Sequence, residues 1–185
     1  MKGGGLCEAS YAFFLPLCSE LGIMIKTKNI SFSYTEYEKI EDLNSVDLEL
    51  VLAAREAARN AFAPYSKFKV GAALKLTSGA VIRGANVENA AFPSGICAER
   101  SALSNSVSNH PNDKPLAIAI ASMRGDEFTD DPPSPCGNCR QVIAEEEFRI
   151  NGKIKIILSG NNKTMVIDGI GNLLPLQFNR KIMNI

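Results

Sequence analysis

The run Leu116–Ser122, which reads LAIAIAS, constrains the fold more than any other feature of the sequence. Every position carries an apolar or small residue, so a strand formed here would have two apolar faces. Such strands are typical of the centre of a sheet that helices cover on both sides. The run therefore predicts an α/β protein with helices in both outer layers.

The remaining pattern predicts four further strands and three helices. Residues 68–77 alternate apolar with polar or small side chains, as a strand requires, and Ser78-Gly79 favours a tight turn into the next strand. A helix with one apolar face is predicted between Asn44 and Pro64. The predicted strands are 68–77, 81–87, 116–122, 153–159 and 164–167; the other predicted helices are 97–109 and 135–147, with a helical turn at 170–174. This order predicts a three-layer α/β/α sandwich with a five-stranded mixed sheet.

Residues 1–44 differ from the remainder of the chain because they show no sustained periodicity. We treat them as an N-terminal extension of uncertain structure, ahead of one folded domain at 45–185, a length that suits a single core. The apolar stretch 11–18 is short and is interrupted by Pro16, which makes it a poor export signal. No apolar run reaches the roughly 18–20 residues that a membrane span needs. These observations predict a cytoplasmic protein without a membrane partner.

The charges of the chain balance, with 20 basic and 20 acidic residues. Domains that bind DNA or RNA usually carry a basic patch or stripe, which attracts the phosphate backbone. The balance argues against a nucleic acid polymer as the main partner, and it allows a small neutral molecule.

The chain has five cysteines, an odd number whose spacing does not suggest a secreted disulfide framework. Three of them lie in two short motifs, Cys97-Ala-Glu-Arg and Pro-Cys136-Gly-Asn-Cys139. Cys7 and Cys18 stand apart, and we interpret them as incidental thiols.

The two cysteine motifs predict a zinc site. Cys136 and Cys139 are three residues apart, so on the first turn of a helix they share one face and can share a metal, and Pro135 suits the first helical position. Cys97 and Glu99 are only two apart, so both reach one site only if Cys97 lies at the very start of its helix. Three thiolates leave the fourth position of a tetrahedral zinc open, as in catalytic sites.

Arg100 follows Glu99 directly, and two interpretations of it stay open. Its donors could offset the negative charge of three thiolates on one zinc ion. It could equally be a residue on the surface of its helix.

Other interpretations of the cysteines are a redox pair at Cys136 and Cys139, or one half of a structural zinc ribbon. A fourth structural ligand would have to come from Cys7, Cys18 or His110, and none of these lies in a ligand-like motif. Neither alternative explains the carboxylate of Glu99, which suits acid–base chemistry beside a metal. The open three-cysteine site is therefore favoured.

The motif CAER followed by PCGNCRQ resembles the small, homotetrameric class of cytidine deaminases with three zinc-binding cysteines. Further similar segments are PYSKFKVGAAL at 64–74, GANVENAAF at 84–92, LAIAIAS at 116–122 and LLPLQF at 173–178. The resemblance spans about residues 45–178. It implies a cytidine deaminase-like fold, one Zn²⁺ per subunit, a homotetramer, and hydrolysis of cytidine and 2′-deoxycytidine to the uridines and ammonia in pyrimidine salvage.

The resemblance also implies roles for individual residues. Cys97, Cys136 and Cys139 would hold zinc. Glu99 would take a proton from water and deliver protons to N3 of cytosine and to the departing ammonia. The backbone N–H of Ala98 would meet the base carbonyl.

Asn86 and Glu88 match ribose contacts of the family, and as alternate residues after a strand they would point the same way. Without the resemblance they would be ordinary loop residues. Phe68 matches an aromatic that packs on the pyrimidine, although a core role at the start of its strand is the alternative. Phe178 resembles a residue that helps to close a neighbouring subunit's site. Phe92 stands where tyrosine is frequent, which removes a hydroxyl.

Two rival functions stay open. A deaminase of a nucleoside antibiotic such as blasticidin would share the zinc motifs, although Phe68 and the NVEN segment favour cytidine. A non-catalytic, zinc-stabilised binding module is the other rival, and Glu99 argues against it because a structural site does not need that carboxylate.

Overall fold

The computed structural model describes residues 26–183, and the elements of that part of the chain all lie in one compact unit that begins at Phe32. The strands are β1 (Thr35–Tyr37), β2 (Phe68–Leu76), β3 (Val81–Ala85), β4 (Pro115–Arg124), β5 (Glu127–Phe128), β6 (Lys155–Ser159) and β7 (Thr164–Asp168). The helices are α1 (Ser45–Arg59), α2 (Ala98–Asn109), α3 (Gly137–Ile150) and α4 (Arg180–Met183). Cys7, Cys18 and the apolar stretch 11–18 lie outside the described residues.

The strands form one mixed sheet in the order β1-β7-β6-β4-β2-β3, with β5 paired to β4. Only β4 and β6 pair in parallel among the described strands, and the other pairs are antiparallel. All five predicted strands are present. The sheet has seven strands because β1 and β5 are added, and these are only three and two residues long. Such short strands carry too few residues to show a period of two in the sequence.

The central strand β4 is covered on both faces, as its sequence predicts. Ala117, Ala119 and Ala121 pack in the core cluster on the α1 side. Ile118 and Ile120 pack on the opposite side, against residues of α2 and α3. The alanines of β4 therefore face α1, and the isoleucines face α2 and α3. Because helices cover both faces of the sheet, the fold is a three-layer α/β/α sandwich, as predicted.

Helix α1 begins as predicted, because the Oδ1 of its cap Asn44 accepts the backbone N–H of Asp47 at 3.0 Å. It ends at Arg59, several residues before Pro64. The segment between Arg59 and Pro64 is not helical and pairs with the chain after β3. Phe62 donates its backbone N–H to the Asn86 carbonyl at 3.0 Å and forms a β-bridge with Val87. This bridge ties residues 60–67 to the end of β3.

Two glycines allow the helices to lie close to the sheet. A Cβ on Gly84 in β3 would lie 2.4 Å from the Ala98 carbonyl oxygen at the start of α2. A Cβ on Gly71 in β2 would lie 2.2 Å from the Ala54 carbonyl oxygen in α1. Both distances are far below van der Waals contact, and the obstructing atoms belong to the backbone. The hydrogen atom of each glycine therefore sets the spacing between helix and sheet.

Among the helices of residues 26–183, none is both long and apolar enough to cross a membrane.

Candidate active site

The three motif cysteines meet where helices α2 and α3 begin. Cys97 is the N-cap of α2 and Cys136 is the N-cap of α3, and both have extended backbone. Cys139 is the third residue of α3, in its first turn, and the three Sγ atoms lie within 4.8 Å of one another. The geometric condition drawn from the sequence, that Cys97 lies at a helix start, is confirmed. The prediction that Pro135 occupies the first helical position is wrong, because α3 begins at Gly137 with Cys136 as its cap.

The thiol cluster fits a tetrahedral zinc ion. Zn–S bonds of about 2.3 Å in a tetrahedron place sulfur atoms about 3.8 Å apart. The Sγ atoms of Cys136 and Cys139 are 3.5 Å apart, and the whole cluster stays within 4.8 Å. Small movements of side chains would therefore give all three sulfur atoms bonding distance to one ion.

The electrostatics of the cluster also favour a cation. Burial, together with repulsion from nearby acidic groups, raises the pKa of the Cys97 thiol and that of the Cys139 thiol. Burial also raises the pKa of the Cys136 thiol, but hydrogen bonds from the Cys139 backbone, the neighbouring thiols and the Asn138 backbone outweigh it and lower that pKa. Two of three thiols thus resist ionisation unless a positive charge lies between them.

Glu99 is buried beside the thiols in the first turn of α2. Its exposed fraction is 4%, and burial raises the pKa of its carboxyl group. A carboxyl group with a raised pKa can both accept and release a proton near neutral pH. Glu99 therefore has the environment of a general acid–base group.

A cavity of about 350 Å³ opens above the thiols and Glu99. This volume lies within the range of about 300–1,000 Å³ that is usual for small-molecule sites. Most of the predicted site residues line it. These residues are Phe68, Asn86, Glu88, Cys97, Ala98, Glu99 and Cys136.

The Asn86 side chain is fixed by the backbone of β2. Its Oδ1 accepts the Val70 N–H at 2.7 Å, and its Nδ2 donates to the Phe68 carbonyl at 3.0 Å. One N–H and one lone pair of the amide remain for a ligand. The backbone of β2 thus fixes the orientation of the Asn86 side chain at the cavity wall.

The Glu88 carboxylate is held by the turn that precedes β2. Its Oε2 accepts the backbone N–H groups of Tyr65 at 2.9 Å and Ser66 at 3.3 Å, and its Oε1 accepts the Ser66 hydroxyl at 2.5 Å. The hydrogen bond from the Ser66 hydroxyl is the main reason that the pKa of Glu88 is lowered. The carboxylate is therefore ionised and oriented before any ligand binds.

Three predicted residues do not line the cavity. Cys139 is buried beneath it. Arg100 is half-buried, and within residues 26–183 no hydrogen bond or ion pair joins it to a thiol. Phe178 is 55% exposed, and its carbonyl accepts a hydrogen bond from Gln141 at 2.8 Å. His110, which the sequence favours as a helix-end residue over a ligand, is the C-cap of α2 and does not belong to the thiol cluster.

Sequence reasoning missed Arg140, which braces the loop that carries Cys136. Its Nε donates to the Pro135 carbonyl and its Nη1 to the Leu173 carbonyl, each at 2.8 Å. The one sequence feature that could have pointed to Arg140 is its position directly after Cys139 in the motif PCGNCR. Its partner at Leu173 lies 33 residues away, so the contact itself could not be read from the sequence.

Residues 44–152 match the family model described as the cytidine and deoxycytidylate deaminase zinc-binding region. The match covers more than half of the chain and contains both cysteine motifs. The chain belongs to this deaminase family.

Relatives of this deaminase share most of its length. It is 36% identical to the cytidine deaminase of Sporosarcina psychrophila over 74% of this chain and 94% of that protein. It is 39% identical to the cytidine deaminase of Halalkalibacterium halodurans over 73% of this chain and 96% of that protein.

The fold of this chain is also similar to solved structures of cytidine deaminases. The cytidine deaminase from Burkholderia pseudomallei is 38% identical with a TM-score of 0.60, over 70% of this chain and 97% of that one. The cytidine deaminase from Mycobacterium tuberculosis is 30% identical with a TM-score of 0.54, over 71% of this chain and 95% of that one. The predicted fold class is confirmed. The prediction of one zinc ion per chain is confirmed by the matched zinc-binding region together with the thiol cluster.

Proposed function

We propose that this deaminase catalyses hydrolytic deamination of cytidine and 2′-deoxycytidine to uridine and 2′-deoxyuridine, with release of ammonia. The observation that carries the proposal is Glu99, a buried carboxyl group beside three clustered thiols at the base of a cavity of small-molecule size. The relatives named cytidine deaminase, which this chain covers almost end to end, support the choice of substrate.

Cys97, Cys136 and Cys139 are the proposed zinc ligands. Zinc, when bound, supplies the Lewis acidity that makes water a nucleophile at neutral pH. Glu99 accepts the first proton of the attacking water and passes it to N3 of the cytosine ring. It then accepts the second proton from the hydroxyl on C4 and delivers it to the departing ammonia, as the C4–N bond breaks and the C4 carbonyl forms. Its burial supports this role, because the raised pKa lets one group serve in both directions.

The walls of the cavity support a free nucleoside as the substrate. Phe68 offers an aromatic face for the base, and the backbone N–H of Ala98 is proposed to meet the base carbonyl. Asn86 and Glu88 are proposed to contact the sugar. Among the described residues that line the cavity, the charged ones are the carboxylates Glu88 and Glu99, and no lysine or arginine is present to meet a phosphate.

Arg100 is proposed to offset the negative charge of the three thiolates. It directly follows Glu99 on the first turn of α2, three residues after Cys97, and it is half-buried. Its role would be to keep zinc acidic, not to touch the substrate.

The remaining proposals concern the whole protein. We place the catalytic domain at 45–185, in line with a family match that begins at residue 44, after an N-terminal extension at 1–44 whose residues 35–37 add strand β1 to the edge of the sheet. The enzyme is proposed to be a cytoplasmic homotetramer that acts in pyrimidine salvage. Free thiols at all three described cysteines suit a reducing compartment.

The test is a turnover assay on purified protein with metal analysis. We expect one zinc per chain and a fall in ultraviolet absorbance as cytidine is consumed. Glu99→Gln keeps its zinc and loses turnover by about 10²–10⁴-fold, the usual contribution of a general acid–base group.

Glu56→Gln is the matched control, since Glu56 is exposed on α1 and pairs with Arg59 away from the cavity. It should turn over cytidine at the wild-type rate. Bound zinc without turnover of either nucleoside would contradict the function, and full activity in Glu99→Gln would contradict the mechanism.

A further inference from the structure

We propose that Ser66 is a positioning residue, which holds the Glu88 carboxylate so that it accepts one sugar hydroxyl of the substrate. This inference rests on the proposed function, because it assigns a supporting residue to the sugar side of the same cavity. Ser66 itself does not line the cavity and acts through Glu88.

The turn before β2 presents three donors to one carboxylate. Lys67 closes the turn by donating its backbone N–H to the Ala63 carbonyl at 3.2 Å. Within it, the N–H groups of Tyr65 and Ser66 bond to one oxygen of Glu88, and the Ser66 hydroxyl bonds to the other. Glu88 lies 22 residues beyond Ser66, so this contact joins two separate segments of the chain.

The Ser66 hydroxyl is itself held in one orientation. Its Oγ accepts the backbone N–H of Phe68 at 3.0 Å. A hydroxyl has one proton to donate, and here that proton is directed at Glu88. The Phe68 carbonyl accepts the Asn86 amide in turn, so Asn86, Phe68, Ser66 and Glu88 form one connected chain of hydrogen bonds.

The bonds to Glu88 limit what it can bind. A carboxylate offers about four acceptor positions, and three are taken by Tyr65 and Ser66. The free position is on Oε1, the oxygen that the Ser66 hydroxyl fixes. Glu88 can therefore accept one substrate hydroxyl there, and without the Ser66 hydroxyl the carboxylate could rotate away from that orientation.

Ser66→Ala should raise the KM for cytidine roughly tenfold, the value of one lost hydrogen bond, with kcat changed by less than about twofold. A rise in KM at constant kcat is the signature of lost binding that ground state and transition state share. The same variant should leave kcat/KM for 2′,3′-dideoxycytidine at its wild-type value, because that substrate lacks both sugar hydroxyls of the furanose ring. Ser66→Thr keeps the hydroxyl and should keep the wild-type KM.

The chain offers a close control in Ser78. It lies in the β2–β3 turn, and its Oγ accepts the N–H two residues ahead, on Ala80, at 3.2 Å, as Ser66 does with Phe68. The carboxylate beside it is Asp113, which accepts the Ser78 backbone N–H and does not line the cavity. Ser78→Ala should therefore leave KM unchanged. In a Glu88→Gln background, adding Ser66→Ala should also change KM by less than about twofold.

Two results would overturn the inference. One is an unchanged KM for cytidine in Ser66→Ala, and the other is an equal loss on cytidine and 2′,3′-dideoxycytidine, which would mean a purely structural role. Failure of the proposed function looks different, because the wild type itself would then not turn over cytidine. In that case calorimetric binding of uridine and 2′,3′-dideoxyuridine to wild type and Ser66→Ala makes the same comparison without turnover.

Discussion

At the scale of single residues, the chemistry of the site depends on where each cysteine falls relative to a helix start. An N-cap residue has extended backbone, so the side chains of Cys97 and Cys136 project from their helix ends toward each other. The helix N-termini also favour negative charge. Burial acts against that charge at Cys97 and Cys139, whose thiol pKa values are raised. Ionisation of the Cys97 and Cys139 thiols is therefore favoured by a cation at the cluster.

Cys97→Ser should remove most of the bound zinc. A serine hydroxyl does not ionise at neutral pH, so the ion loses one of three charged ligands, and affinity should fall by more than about 100-fold, beyond the usual effect of changing a residue behind the ligands. Metal analysis after dialysis measures this. Cys18→Ser, a change at a cysteine outside both motifs, is the control and should retain one zinc per chain. Equal zinc in Cys97→Ser and wild type would rule out Cys97 as a ligand.

At the scale of elements, the position of α2 is set by β3. Gly84 lies against the first turn of α2, which also carries Ala98 and Glu99. The helix cannot move closer to the sheet, and any side chain at Gly84 would push it away. Because Cys97 precedes α2 and Cys136 precedes α3, a shift of α2 would separate the thiols.

Gly84→Ala should destabilise the fold by about 1–3 kcal/mol, the usual cost of overpacking a rigid site. For a chain of this size that corresponds to a lower melting temperature by about 2–12 °C. Thermal unfolding followed by circular dichroism measures it. Gly171→Ala is the control, because a Cβ there would meet no atom within 4 Å and its φ is not positive. A wild-type melting temperature for Gly84→Ala would show that α2 can move freely.

The elements also show how far the sequence could predict the structure. The side-chain pattern predicted β2, β4 and α1, because each is long enough to show alternation, two apolar faces or one apolar face. Motif spacing predicted the thiol cluster because it depends on local helix geometry. Strands β1 and β5 were missed because pairing with β7 and β4, and not their own sequence, creates them. Ser66 and Arg140 were missed for the same reason: their partners lie 22 and 33 residues away in the chain.

At the scale of the whole molecule, Phe178 is exposed and does not line the cavity of its own chain. It is 55% exposed in the single chain, although its backbone is fixed by Gln141 and the neighbouring Arg180 pairs with Glu145 on α3. Leu176 and Ile182 in the same segment are exposed too, and several exposed apolar side chains in one segment favour contact with a second copy more than a single one would. This supports the proposed homotetramer, in which Phe178 of one subunit closes the cavity of another.

Mixing two impaired variants, Phe178→Ala and Glu99→Gln, tests that arrangement. Phe178→Ala alone should lower kcat/KM for cytidine, and light scattering should give a mass of four 20.0 kDa chains for wild type. If Phe178 acts on a neighbour, tetramers assembled from Phe178→Ala and Glu99→Gln chains regain activity, because some cavities then combine an intact Glu99 with an intact Phe178. If Phe178 acts within its own chain, mixing restores nothing.

The meeting of two helix starts at one cation has a consequence for chain topology. A zinc ion shared by Cys97 and Cys136 closes a loop of about 40 residues that contains α2 and β4, as a disulfide between those positions would. A covalent crosslink of that span reduces the entropy of the unfolded chain by an equivalent of about 4 kcal/mol. The ion that takes part in catalysis would thus also act as a reversible crosslink of the fold. Its removal by a chelator would destabilise the central strand of the sheet together with the active site.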